Sequence, residues 1–221
     1  MKQRTGCDSI DKILSGGFEC GVLTLIYGEA GSGKTNLCIQ TAIQVISEKK
    51  KVIYIDTEGL SLERVKQIAG NKFNEILPNL IIREVTSLEE QTSVIDEMIK
   101  IAVATPEIGL VILDSATVYY RINLTLDGSE DSRYSLTHQV TSLLRFARKK
   151  NVPVLLTTQV YTDMKKGTYE PIGGHMLLHN SKAILRLEKT GINTRRLTII
   201  KHRALPEDLF VDLKLVQEGL R

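Results

Sequence analysis

The hydrophobic pattern of this chain divides it into short apolar runs and longer stretches of helical character. The short runs are nearly all apolar rather than alternating, which is typical of strands buried on both faces of a sheet. We predict strands at Val22–Tyr27, Val52–Asp56, Leu80–Arg83, Leu110–Leu113 and Val154–Thr158, and helices at Gly33–Lys49, Ser87–Ala104 and Ser132–Lys150. Alternation of strands and helices indicates an α/β fold with a parallel sheet covered by helices on both faces.

The end of the chain has a different pattern. Three strand-like segments separated by short turns predict antiparallel strands that extend one edge of the sheet. These segments are Ala183–Glu188, Arg195–Lys201 and Phe210–Val216. Two polar segments that contain glycine, Arg121–Ser132 and Tyr161–His179, are predicted to be long loops, and long loops in compact domains are usually functional.

Composition narrows the class of protein. A chain of 221 residues with 42 % hydrophobic residues suits one domain, which we place at residues 1–221. The net charge of +3 is too small to indicate nucleic-acid binding by itself. Three cysteines, Cys7, Cys20 and Cys38, form no CxxC pair and are expected to be free thiols. No apolar run is long enough for a membrane span, so we expect a cytoplasmic protein with no membrane partner.

The segment after the first predicted strand carries the clearest chemistry. Residues 28–35 read GEAGSGKT and match the pattern G-x-x-x-x-G-K-[ST]. Glycines allow backbone amides to surround a phosphate, and the following helix adds its positive end. Lys34 is expected to reach the β- and γ-phosphates of ATP, and Thr35 to bind Mg²⁺. The predicted nucleotide-binding residues are Gly28, Glu29, Ala30, Gly31, Ser32, Gly33, Lys34, Thr35 and Asn36.

Three other strand ends carry polar side chains that suit the same site. Asp114 follows an apolar run, as a second metal-side residue would, although an aspartate there is also a common turn former. Glu58 is the candidate catalytic base that orients water, or alternatively a cap for the helix that begins near Ser61. Gln159 is a candidate contact for the γ-phosphate, or an ordinary polar strand end.

Several blocks together resemble the RecA/RadA recombinase family. They read TGCDSIDKILSGGFECGVLTLIYGEAGSGKT (residues 5–35), YIDTEG (54–59), VILDSAT (111–117), TTQV (157–160), PIGGHMLLHNSKAILRLEK (171–189) and KHRALPE (201–207). They occur in family order over nearly the whole chain. The resemblance implies a RecA-like P-loop ATPase core, with a central, mostly parallel, twisted sheet flanked by helices.

The resemblance also assigns residues. It implies that Lys34 and Thr35 bind nucleotide and metal, that Asp114 is the metal-side aspartate, that Glu58 is the catalytic glutamate and that Gln159 senses the γ-phosphate. It matches the two predicted loops to segments that contact single-stranded DNA in the family. Residues with suitable chemistry there are Arg121, Arg133, Lys165, Lys166 and His175 for phosphates and Tyr169 for stacking, although each alone also suits a solvated loop.

The chain departs from the family at two places. It begins at the core block, so we expect no N-terminal helical DNA-binding domain and at most weak homo-oligomers. The first DNA-facing segment is acidic, which weakens electrostatic attraction of DNA. Near the C-terminus, Lys201 and Arg203 resemble a basic pair that acts on the nucleotide of a neighbouring subunit; the alternative is a cationic edge strand that prevents aggregation.

Three functions fit these observations. The first is a slow, Mg²⁺-dependent ATPase that binds single-stranded DNA and regulates a RadA-type recombinase in recombination and repair. The second is a nucleotide-switched adaptor for a RadA-type recombinase or, by resemblance, a Holliday junction resolvase. The third is a KaiC-like ATPase or kinase domain without a role on DNA.

Overall fold

A computed structural model describes residues 1–126, 130–163 and 168–221. Within these ranges the strands are β1 (Lys2–Gln3), β2 (Phe18–Glu19), β3 (Leu23–Tyr27), β4 (Lys51–Asp56), β5 (Leu80–Glu84), β6 (Ile108–Asp114), β7 (Val154–Thr158), β8 (Val160–Asp163), β9 (Thr168–Pro171), β10 (Ala183–Gly191), β11 (Thr194–His202), β12 (Phe210–Val216) and β13 (Gly219–Leu220). The helices are α1 (Asp8–Ile13), α2 (Lys34–Ser47), α3 (Leu62–Ala69), α4 (Phe73–Ile76), α5 (Leu88–Ala104), α6 (Val118–Leu126), α7 (Glu130–Lys150) and α8 (Gly174–Asn180). Two 3₁₀ turns, Gly70–Lys72 and Leu77–Asn79, flank α4.

Nine strands form the central sheet in the order β13-β12-β11-β10-β3-β7-β6-β4-β5. The six strands from β10 to β5 are parallel to their neighbours, whereas β10, β11, β12 and β13 pair antiparallel. This arrangement confirms the predicted fold, including the antiparallel C-terminal edge. Because parallel strands end on the same side, β3, β4, β6 and β7 bring their carboxyl ends together.

Two hydrophobic clusters cover the faces of this sheet. One contains Leu37 and Val45 of α2 and Tyr54 of β4. The other contains Ile95 of α5 and Leu143 of α7. The central strands are buried on both faces, as their apolar sequences predict. Among the described residues, no helix is long and apolar enough to cross a membrane.

The prediction of two long loops was wrong for most of their length. Arg121–Leu126 completes α6, and α7 begins at Glu130 rather than at Ser132. In the second segment, β8 and β9 form an antiparallel hairpin and α8 follows. Lys165 and Lys166 lie outside the described residues.

Candidate nucleotide site

The phosphate loop connects β3 to α2 and requires glycine for two different reasons. A Cβ added to Gly28 would lie 2.0 Å from the carbonyl oxygen of Leu187, because the backbone of β10 passes directly beside the loop. Gly33 has φ +108° and begins α2 as its N-cap, a conformation that side chains disfavour. The loop therefore has the tight, amide-rich backbone from which a phosphate cradle is built.

Lys34 lies inside this loop and is only 7 % exposed. Its Nζ donates to the carbonyl oxygens of Gly28, at 2.8 Å, and Glu29, at 3.0 Å. Burial lowers the pKa of Lys34, and the negative charges of Glu58 and Asp114 partly oppose this effect. Lys34 makes no ion pair with any residue that the structure describes. An anion in the loop would supply its missing counter-charge.

The residues present fit a nucleotide phosphate. The hydroxyl of Ser32, within the loop, is buried and has no hydrogen-bond partner among the described residues. Buried polar atoms normally have partners, and a phosphate oxygen would satisfy this one. Oxygen atoms of the kind that Mg²⁺ prefers as ligands lie next to the loop. They belong to Thr35 and Asp114, and the Thr35 hydroxyl donates to Asp114 Oδ2 at 2.8 Å. The fold thus brings together two predicted metal-side residues that are far apart in sequence.

Asp114 is held by two further hydroxyl groups that sequence reasoning missed. Tyr54 donates from its phenol to Oδ2 at 2.6 Å, and Thr157 donates to Oδ1 through a short hydrogen bond. A usable signal did exist, because each is a polar group in an apolar strand of the predicted sheet. Using it required knowledge of which strands neighbour β6.

Glu58 and Gln159 are also brought together, at the carboxyl ends of β4 and β7. Gln159 Nε2 donates to Glu58 Oε1 at 3.1 Å, and Arg121 Nη1 donates to Gln159 Oε1 at 3.5 Å. Ser61, not Glu58, caps α3, since its hydroxyl accepts from the backbone of Arg64. The side chain of Glu58 is exposed and therefore accessible to solvent.

The β8–β9 hairpin separates two cavities. Val160 and Tyr169 line one of about 160 Å³ beside Gly28 and Glu29 of the phosphate loop. Tyr161 lines another of about 600 Å³. Successive residues of a strand face opposite sides, and Tyr169 pairs with Thr162 rather than with Tyr161, so the two tyrosines lie on opposite faces of the hairpin.

The candidate DNA-contacting residues divide accordingly. Arg133 and His175 share the larger cavity with Tyr161 and are exposed. Tyr169 is 51 % exposed and lies beside the phosphate loop instead. Arg121 is exposed and contacts Gln159.

Lys201 and Arg203 contact different parts of their own chain. Lys201 Nζ donates to the carbonyl oxygens of Leu178 and Ser181, at 2.9 and 3.0 Å, at the end of α8. Arg203 lies beyond the end of β11, and its Nε binds Glu19 Oε2 at 2.7 Å. The cause is local, because β11 ends at His202 and Arg203 lies outside the alternation of the strand.

Two further arginines support the loop and were not predicted. Arg195 is 7 % exposed and donates to the carbonyl oxygen of Gly31 at 3.1 Å. Arg64 links Asn36 Oδ1, at 2.6 Å, to the carbonyl oxygens of Val216 and Gln217. The C-terminal strands are thereby connected to the middle of the phosphate loop and, through Arg64, to the first turn of α2.

Comparison with known proteins agrees with this architecture. The model of the Rad51 family matches residues 1–221. The DNA repair and recombination protein RadB of Methanococcoides burtonii is 47 % identical over 98 % of this chain and 96 % of its own length. The RadB protein of Methanoculleus marisnigri is 39 % identical with the same coverage. A crystal structure of a RadB recombinase superposes with a TM-score of 0.85 at 35 % identity, covering 99 % of this chain and 98 % of that one. The chain therefore belongs to the Rad51 family of RecA-like recombinases and, within it, to the RadB proteins.

Proposed function

We propose that this protein binds ATP with Mg²⁺, hydrolyses it slowly, binds single-stranded DNA and regulates a RadA-type recombinase in recombination and repair. The observation that carries the proposal is the contact of Thr35 with Asp114 beside a glycine-rich loop. That loop holds a buried lysine without an ion pair in the described chain. Membership in the Rad51 family and similarity to RadB proteins support the recombination context.

The nucleotide chemistry is assigned to residues of this chain. The phosphate loop and Lys34 bind the triphosphate, and Thr35 and Asp114 hold the metal side. Magnesium, when bound, neutralises charge on the phosphate oxygens. Glu58 orients the attacking water and accepts its proton. Gln159 senses the γ-phosphate, and its hydrogen bond to Glu58 links that sensing to the catalytic carboxylate.

The DNA interface is assigned to the elements that follow β6 and β7. Arg121, Arg133 and His175 supply cationic and hydrogen-bonding groups for the phosphate backbone. Lys165 and Lys166 belong to the same proposed interface. The sequence-based candidate for stacking is Tyr169, and the cavity that Tyr161 shares with Arg133 and His175 makes Tyr161 the second candidate. Gln159 is positioned to connect this interface with the nucleotide, because its carbonyl oxygen accepts from the backbone of Ile172 at the end of the hairpin.

The proposed partners follow from the family. They are single-stranded DNA, a RadA-type recombinase and, as a further candidate, a Holliday junction resolvase. Residues 1–221 act as one ATPase core, and weak homo-oligomers place Lys201 and Arg203 near the nucleotide of a neighbouring subunit. The extensive match to RadB proteins favours this role over a KaiC-like kinase domain.

A second candidate is an adaptor that uses nucleotide only as a switch. The contact between Gln159 and Glu58 favours it, since an amide bonded to the catalytic carboxylate slows hydrolysis until it moves. Single-turnover hydrolysis distinguishes the two functions. An ATPase cleaves bound ATP, whereas a pure switch retains it and still changes its affinity for the recombinase.

The decisive test is the variant Lys34→Ala. Loss of a hydrogen bond to a charged group costs about 1.5–3 kcal/mol, so affinity for a fluorescent ATP analogue should fall by about 10- to 100-fold. Lys66→Ala is the matched control, because Lys66 is an exposed cation on α3. Unchanged ATP affinity in Lys34→Ala would reject the proposed nucleotide site.

A further inference from the structure

The carboxylate of Asp114, the predicted metal-side residue, accepts more hydrogen bonds from the protein than a metal-binding role requires. Asp114 accepts hydrogen bonds from hydroxyl groups on three elements: Thr35 of α2, Tyr54 of β4 and Thr157 of β7. Thr35 already has a place in the proposed site as a metal-side residue. Tyr54 and Thr157 have none, and both side chains are completely buried.

Tyr54 of β4 contacts Asp114 of the adjacent strand β6 along a diagonal. The register pairs Asp56 with Asp114 and Tyr54 with Ile112, so Tyr54 and Asp114 lie on the same face of the sheet two positions apart. The ring of Tyr54 packs in the hydrophobic cluster beneath α2, and its phenol donates to Oδ2 at 2.6 Å. Packing of the ring leaves the hydroxyl little freedom to move away.

Thr157 approaches Asp114 from the other neighbouring strand. Leu156 pairs with Leu113, which places Thr157 level with Asp114. Its hydroxyl donates to Oδ1, the oxygen that Tyr54 does not contact. The two side chains therefore hold opposite oxygens of one carboxylate, from opposite sides.

A carboxylate offers about four lone-pair positions, and three of those on Asp114 accept hydrogen bonds. The torsion of the carboxylate is consequently fixed. Its one remaining lone-pair position is on Oδ1, because Oδ2 already accepts from Thr35 and Tyr54. Resting on the proposed binding of Mg²⁺ and ATP, we propose that Tyr54 and Thr157 are positioning residues that orient Asp114 for the metal ion. Groups that orient metal ligands in this way typically affect metal affinity by about 10- to 100-fold.

A simpler explanation is that both bonds only satisfy buried hydroxyl groups, since a buried tyrosine hydroxyl usually has a partner. That explanation predicts lower stability without any change in the response to Mg²⁺. The metal dependence of nucleotide binding therefore separates it from the proposal.

The experiment compares Tyr54→Phe and Thr157→Val with two matched controls. Tyr119→Phe removes a phenol that donates to the carbonyl oxygen of Val85 at 3.0 Å. Thr41→Val removes a buried hydroxyl that donates to the carbonyl oxygen of Leu37 at 2.7 Å. For each full-length variant, Mg²⁺ is titrated at a fixed concentration of a fluorescent ATP analogue, and binding is repeated in EDTA. Thermal unfolding is recorded in parallel.

We expect the Mg²⁺ midpoint to rise by about tenfold or more in Tyr54→Phe and Thr157→Val. Binding in EDTA should stay within about twofold of the wild type, because the phosphate loop is unchanged, and neither control should move the midpoint. An unchanged midpoint in both variants overturns the inference while the proposed function stands. If Tyr54→Phe does not fold, the midpoint of Thr157→Val decides alone. A wild type that binds no nucleotide rejects the proposed function itself, and the inference with it.

Discussion

The amide of Gln159 lies between two side chains of opposite charge. Its Nε2 donates to Glu58 at 3.1 Å, and its Oε1 accepts from Arg121 at 3.5 Å. The donor end faces a carboxylate and the acceptor end faces a cation, so electrostatics favours one orientation of the amide. A ligand that engages the amide of Gln159 therefore competes with both of these hydrogen bonds.

The first prediction at this scale concerns the catalytic carboxylate. Glu58→Gln keeps the size of the side chain but removes the base, so we expect hydrolysis to fall by about 100-fold or more. ATP affinity should be nearly unchanged, because Lys34 and the phosphate loop remain intact. The measurement is single-turnover hydrolysis together with equilibrium ATP binding. Glu63→Gln, at an exposed position of α3, is the control, and equal rates in the two variants would remove Glu58 from the mechanism.

At the scale of elements, the β8–β9 hairpin lies between two cavities and has a tyrosine on each face. Tyr161 and Tyr169 are almost equally exposed, at 52 % and 51 %. Tyr161 shares its cavity with Arg133 and His175, whereas Tyr169 faces the phosphate loop. The two residues therefore form a matched pair that reports which face of the hairpin binds DNA.

We expect Tyr161→Ala to weaken binding of single-stranded DNA by about 1–3 kcal/mol, the usual range for loss of one stacking residue. Tyr169→Ala should have a smaller effect, since its face borders the nucleotide. Fluorescence anisotropy with a labelled oligonucleotide, at fixed salt, measures both. A larger loss in Tyr169→Ala would support the sequence-based prediction for Tyr169 and place DNA on the other face.

Other strands and helices show how much of the fold could be predicted from the sequence. The central strands were predictable because burial on both faces leaves uninterrupted apolar runs, as in β7 (Val154–Thr158). The start of α5 was predictable from its cap, and the Ser87 hydroxyl accepts from the backbone of Glu90 at 3.1 Å. In a capping box, the Glu90 side chain would in return accept from the backbone N–H of Ser87. Here it accepts from the backbone N–H of Thr86 instead. α6 was missed, since nine residues with one apolar face give a weak periodic signal.

The metal side of the site was only half predictable. Thr35 and Asp114 belong to motifs that can be recognised in the sequence. The support from Tyr54 and Thr157 depends on β6 lying between β4 and β7, an order that differs from the order along the chain. The end of a strand is equally invisible in the sequence: β11 ends at His202, so Arg203 lies outside the alternation that includes Lys201.

At the scale of the whole molecule, the carboxyl edge of the sheet gathers most of the candidate residues that the structure describes. The exceptions are Lys201 and Arg203, which bind the end of α8 and β2 within their own chain. Burial and the neighbouring charge of Lys182 lower the pKa of Lys201, so this ammonium would gain by contact with an anion. A role on the nucleotide of another subunit requires both side chains to exchange their present partners.

The resulting prediction is that hydrolysis per subunit rises with protein concentration over the range in which the protein self-associates. Each cation brought to a neighbouring nucleotide stabilises the charge that develops on the transferred phosphoryl group. Lys201→Ala and Arg203→Ala should lose this rise. Arg196→Ala should keep it, because Arg196 is occupied by Asp212 and Phe210 on β12. Sedimentation analysis and steady-state hydrolysis on the same samples provide the measurement. A rate per subunit that stays constant while dimers form would mean that the two residues serve the fold of their own chain alone.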